Sequence, residues 1–137
     1  MLIQNYCRMC STPMPASTTI GSDVHLIQQV LHRYLKGGIS GTNADFKLIF
    51  HPNATIHGYI GPDLFGGPIQ LLYDWHQNNG PATDLTMKIA SIDVEDTIAT
   101  ARVELDNWTG HRFTDMFTLL KTGGEWKIIS KVFHLHA

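Results

Sequence analysis

Phe113-Thr114-Asp115-Met116-Phe117-Thr118-Leu119-Leu120 has the period of two expected of a β-strand with one buried face. The face that carries Phe113, Phe117 and Leu119 also carries Asp115. Burial disfavours a charged carboxylate, so an acid in that position is paired with a cation, hydrogen-bonded as the neutral acid, or turned toward a cavity where something binds. The surrounding chain favours the cavity.

Working outward, hairpin signals at Glu95-Asp96, Thr109-Gly110 and Thr122-Gly123-Gly124 separate four strand-like runs from Thr83 onward, an antiparallel meander. The runs Thr97 to Trp108 and Arg112 to Lys121 are long enough that their twist should wrap them around a hollow. Upstream, Val24, Ile27, Val30, Leu31, Tyr34 and Leu35 recur at helical spacing behind a Ser22-Asp23 N-cap, with Gly37-Gly38 as the stop. Asn43 should cap a second helix carrying Phe46, Ile49 and Phe50, ended by His51-Pro52-Asn53. A short strand from Ala54 to Ile60 and turns at Gly61-Pro62 and Gly66-Gly67-Pro68 follow. A third helix with Pro68 in its first turn then carries Ile69, Leu72, Tyr73 and His76, and Asn79-Gly80-Pro81 stops it. Helices first and strands after predict an α+β fold: three N-terminal helices packed on a curved, mostly antiparallel sheet.

The chain has 137 residues, 43% hydrophobic and 16% charged, with a formal net charge of -2. That is one domain's worth, with no electrostatic preference for nucleic acid or an anionic membrane. Residues 1–22 lack apolar periodicity and read as a flexible tail ahead of a single domain over 23–137; Met9 and Met14 are further candidate starts. No apolar run has the length of a signal peptide or membrane span, which makes a cytoplasmic location the expectation. Cys7 and Cys10 form a lone CxxC without a second ligand pair, so no metal or other cofactor is expected.

Val30-Leu31-His32-Arg33-Tyr34, Leu48 to Ile56, Gly110 to Asp115 and Gly124 to His134 together resemble the nuclear transport factor 2-like (NTF2-like) superfamily. Its members are cone-shaped, cystatin-like α+β domains that include ketosteroid isomerase, scytalone dehydratase and the SnoaL-like cyclases. The resemblance runs from about Asp23 to His136, and its C-terminal segments look most like the branch labelled "Putative lumazine-binding". Laid beside ketosteroid isomerase, Tyr34 falls at the oxyanion tyrosine and Asp115 at the protonated aspartic acid, the worked case of a carboxyl group kept neutral by an apolar site. The general-base aspartate of that enzyme falls on Gly58, so this resemblance implies no steroid isomerisation.

The adjacent His57 is the alternative base, although strand alternation turns it to the face opposite Gly58. Lys131 shares a strand face with Ile129, Phe133 and Leu135; it is either a cation in the cavity, paired with Asp115, or a side chain that snorkels to water. Phe65, Trp75, Phe117 and Phe133 are the candidate ligand-binding aromatics, and Tyr59, Tyr73, Trp108 and Phe113 are distributed over the same segments. His134 and His136 share a face, but two ligands without a third make no metal site. The expected function is binding of a small hydrophobic molecule in an apolar pocket bearing Tyr34 and Asp115. A cofactor-free lyase, isomerase or cyclase acting on a carbonyl compound is the alternative. Trp126, Ile128 and Val132 alternate with Ile129, Phe133 and Leu135, which predicts a second apolar sheet face and a homodimer through it.

Overall fold

The computed structural model describes residues 16–137, with side chains from Gly21 onward; the expected flexibility of residues 1–15 and the Cys7/Cys10 pair lie outside the described residues. Helices α1 (Ala16–Ile39), α2 (Ala44–Ile49) and α3 (Gln70–Asn79) are accompanied by strands β1 (Phe50–Ile60), β2 (Asp63–Pro68), β3 (Thr86–Glu95), β4 (Ile98–Trp108), β5 (His111–Thr122) and β6 (Glu125–Leu135). The strands form one open sheet in the order β2-β1-β6-β5-β4-β3. All neighbours are antiparallel except β1 and β6. The fold is therefore the α+β cone expected from the sequence. No described helix is long and apolar enough to cross a membrane.

The meander follows from its turns. Thr109-Gly110 and Gly123-Gly124 both have positive φ at two successive residues, the conformation that joins strands without splaying them. Curvature comes from register breaks in β3, β4 and β6. The break in β6 has the largest consequence. Thr118 pairs with Ser130 but Leu119 pairs with Ile128, so Ile129 is an extra residue and the strand bulges there. The bulge resets the alternation: Trp126 and Ile128 before it and Lys131 and Phe133 after it are all buried, while Val132 is half exposed. The two apolar faces read from strict alternation are thus corrected to one.

Helix α1 covers that inner face with Ile27, Leu31 and Tyr34, all fully buried against a core that includes Val103, Leu105, Phe117, Leu119 and Ile128. The helix starts at Ala16, ahead of the expected Ser22-Asp23 cap, and residues 16–22 belong to it instead of the tail. Asp23 is an interior anchor: Lys121 Nζ (2.9 Å) and Trp126 Nε1 (3.1 Å) both donate to its Oδ1, fastening α1 to the β5–β6 hairpin. Gly37 and Gly38 do not stop the helix either. Their missing side chains admit neighbours, since a Cβ on Gly37 would meet the Phe46 ring at 2.6 Å and one on Gly38 would meet Leu85 at 2.5 Å. β1 begins at Phe50, earlier than expected, and Gly66-Gly67-Pro68, read as a turn, is part of edge strand β2, where a proline needs no ladder donor.

Candidate functional site

Three side chains from three elements meet beneath α1. Asp115 of β5 is buried completely, and its Oδ2 accepts a hydrogen bond from the Tyr34 hydroxyl of α1 at 2.7 Å. Lys131 of β6 is a diagonal neighbour of Asp115 across the β5–β6 ladder, and its Nζ lies 3.7 Å from the same oxygen. That is an ion-pair separation, longer than a hydrogen bond. Asp115 Oδ1 has no protein partner. Tyr34 is packed by Phe46, Phe50, Trp108 and Phe117, with ring centroids 5.1 to 6.1 Å away. Lys131 Nζ stands 5.0 Å from the Trp108 ring centroid, 5.2 Å from that of Tyr34 and 5.9 Å from that of Phe133, so three aromatic faces hold the cation.

The electrostatics follow from burial. Desolvation raises the Asp115 carboxyl above its ordinary value, and Lys131 and the Tyr34 hydroxyl only partly oppose it. Desolvation likewise lowers Lys131, with Asp115 opposing. Both shifts favour moving the shared proton from Nζ toward the carboxyl, relative to the pair in water. The Tyr34 phenol is pushed well above its usual value, first by burial and then by the Asp115 charge and hydrogen bond, so it stays a donor.

A cavity of about 140 Å³ opens beside this triad. Its walls are Ile56, Leu72, Leu135 and the rings of Phe65, Trp75, Trp108, Phe113 and Phe133, with Ile60 and His111, both exposed, at the open end. Its ionisable side chains are Lys131 and His111, and the indole N–H of Trp108, another lining residue, is buried without a protein partner. Tyr34 and Asp115, expected in the pocket wall, lie behind it: both are fully buried and neither lines the cavity, so they reach it only through Lys131. Phe117 is also corrected, because it packs against Tyr34 in the core. Phe65, Trp75, Phe133 and Lys131 do line the cavity.

His57 is not part of the site. It is exposed on the outer sheet face, with its ring laid over Gly66 of the edge strand, because β1 alternates regularly there and no bulge re-aims it. Gly58, on the inner face, is paired with Phe133, and a Cβ on it would meet that ring at 2.6 Å. The phenyl ring thus occupies the space a carboxylate would need. Trp108, Phe113 and His111 line the cavity without having been singled out for it. Phe113 was legible as the inward neighbour of Asp115, whereas Trp108 depends on the register break next to the Thr109-Gly110 turn.

On the outer face, the Thr114 hydroxyl donates to Glu104 at 2.5 Å and lies 2.8 Å from His136 Nε2, and the His134 and His136 rings meet edge to face. Among the described residues no three His, Cys, Asp or Glu side chains are placed to hold a metal ion.

The sequence profile of the family described as "Putative lumazine-binding" matches residues 22–134. An NTF2-like protein of unknown function from Methylobacillus flagellatus KT is 50% identical and superposes with a TM-score of 0.82, over 85% of this chain and 94% of that one. A second NTF2-like protein of unknown function, from Shewanella baltica OS155, is 39% identical with a TM-score of 0.80, over 85% of this chain and 95% of the other. A Cladobotryum protein named "Aldolase FrzH" is 28% identical over 102 residues, 74% of this chain and 82% of that protein.

Proposed function

The chain belongs to the "Putative lumazine-binding" family of NTF2-like domains, and from that premise we propose that it binds a compact apolar molecule whose carbonyl oxygen is held at Lys131 Nζ. The observation that carries the reading is a single lysine in an otherwise aromatic and aliphatic lining. Such a pocket takes an apolar body and orients it through one aimed polar group. A volume of about 140 Å³ is close to that of the dry cavity of ~150 Å³ that accepts benzene, so the ligand is a single ring or a short chain. A two-ring lumazine, with donors and acceptors around its edge, is larger than that space and would find few polar groups in it, those of Lys131, His111 and the two lining tryptophans.

A second reading, cofactor-free chemistry on a carbonyl compound, draws on the similarity to a protein named as an aldolase. Within that reading a ketosteroid-isomerase-like mechanism is disfavoured, since Phe133 fills the space at Gly58 and Tyr34 and Asp115 address Lys131 instead of the cavity. Any chemistry would centre on Lys131.

Trp75 and Trp108 line the pocket, so titrating the protein with acetophenone while following tryptophan fluorescence tests the reading. Saturable quenching is expected. Lys131→Met should weaken acetophenone binding by roughly tenfold to a hundredfold, the worth of a charged hydrogen bond of ~1.5–3 kcal/mol, and leave toluene binding nearly unchanged. Equal losses for the two ligands would refute the orienting role. For assembly, we propose a homodimer through a narrower outer patch than the sequence implied, formed by the exposed Met116 and Val132, cross-strand partners, with Tyr59 and Leu64 beside them. A cytoplasmic setting is part of the same proposal.

A further inference from the structure

We propose that Lys131 is a covalent site: its Nζ condenses with the carbonyl carbon of an aldehyde or ketone seated in the cavity, forming an iminium. The inference rests on the pocket reading above and names the chemistry of that pocket. Four features of the geometry carry it.

Lys131 lines the cavity, and its Nζ sits among the rings of Trp108 and Phe133, which line it as well, so a carbonyl in that small space is confined close to the amine. Its counter-ion stands 3.7 Å away, beyond hydrogen-bonding distance, so the pair is not locked as a tight salt bridge would be. A purely structural pair would be better served by closer contact. The rings of Trp108, Tyr34 and Phe133 surround Nζ, and an iminium carries the same positive charge as the ammonium it replaces, so the cage that holds one also holds the other. Finally, the Asp115 oxygen nearest Nζ is Oδ2, which also accepts from the Tyr34 hydroxyl, while Oδ1 has no protein partner, so the carboxyl group has lone pairs free to take and return a proton.

The step balances within these groups. Transfer of one proton from Nζ to Asp115 gives a neutral amine, whose lone pair forms the N–C bond as the carbonyl π electrons move to oxygen. The carbinolamine nitrogen passes two protons in turn to the oxygen, its own and the one that Asp115 returns to it, and the C–O bond breaks to release water and leave C=N⁺. Desolvation, which lowers Lys131 and raises Asp115, assists the first transfer. The iminium acidifies the neighbouring C–H bond, the activation that carbon–carbon bond formation next to a carbonyl requires. Asp115 acts on protons only; Lys131 makes the bond.

The full chain is treated with benzaldehyde, which has one ring and no acidic α C–H, and sodium borohydride, which reduces an iminium to a stable benzylamine, and adducts are located by peptide mass mapping. Benzylation should be enriched about tenfold or more at Lys131 over Lys36, Lys47, Lys88, Lys121 and Lys127, because a confined carbonyl meets a positioned amine. Excess toluene should suppress the Lys131 adduct alone, and Lys131→Arg, which keeps the charge, should abolish it. The key result comes from the unaltered protein, so it does not depend on a variant folding. Saturable quenching by benzaldehyde without enrichment at Lys131 would overturn the covalent role and leave the binding reading intact. Absence of both binding and enrichment would overturn both.

Discussion

Asp115→Asn is the substitution whose cost can be worked most directly. The amide keeps the shape and can still accept from the Tyr34 hydroxyl, but it removes the anion beside Lys131, a side chain only 7% exposed. Breaking a buried pair from one side costs ~3–5 kcal/mol, because the remaining charge is stranded. The three aromatic faces soften the loss, so a value near ~3 kcal/mol is expected, a Tm drop on the order of 10 °C for a domain of this size. Lys131→Met should cost less, since an Asp115 already raised by burial can take a proton and become neutral. The double variant should be more stable than the sum of the singles implies, by ~1–3 kcal/mol, in urea denaturation at neutral pH.

A pH signature accompanies the single Asn variant. Lys131 is held below its ordinary 10.5, so between its folded value and 10.5 the unfolded chain binds more protons than the folded one. Without Asp115 to oppose desolvation Lys131 falls further in the variant, so its stability rises with pH over a wider window than that of the unaltered protein, and the Asn deficit should shrink as pH rises toward 10.5. Losses that add to within ~0.5 kcal/mol, together with a deficit that does not change with pH, would show that the two side chains are not energetically coupled.

Gly58→Ala should destabilise by ~1–3 kcal/mol and weaken acetophenone binding, because the new methyl must push back the Phe133 ring that lines the cavity; thermal melts and the fluorescence titration measure both, and an unchanged protein would mean that the ring yields freely. Light scattering at micromolar concentration should return a dimer mass, and Val132→Arg on the outer patch should return the monomer with its melting temperature little changed. A monomer mass for the unaltered chain would end the dimer proposal.

The period-two run around Asp115, the glycine turns and the helical spacing through Tyr34 depend on neighbours within a few residues, and they determined the α+β class, the meander and the burial of Asp115 from sequence alone. The pairing of Asp115 with Lys131 was legible as one of two alternatives, since a buried acid requires a partner. Contacts across the sheet were not legible. The bulge at Ile129 adds one residue to β6 against β5, a property of the pair of strands, yet it turns Trp126 and Ile128 inward and removes the second apolar face. Asp23 resembles a helix cap until Lys121 and Trp126, roughly a hundred residues along the chain, supply its partners. The division between Tyr34 and Asp115 behind the wall and Lys131 at its surface was likewise a tertiary decision. Side-chain periodicity specifies which face a residue occupies; how deep it lies on that face depends on what the opposing helix and strands bring against it.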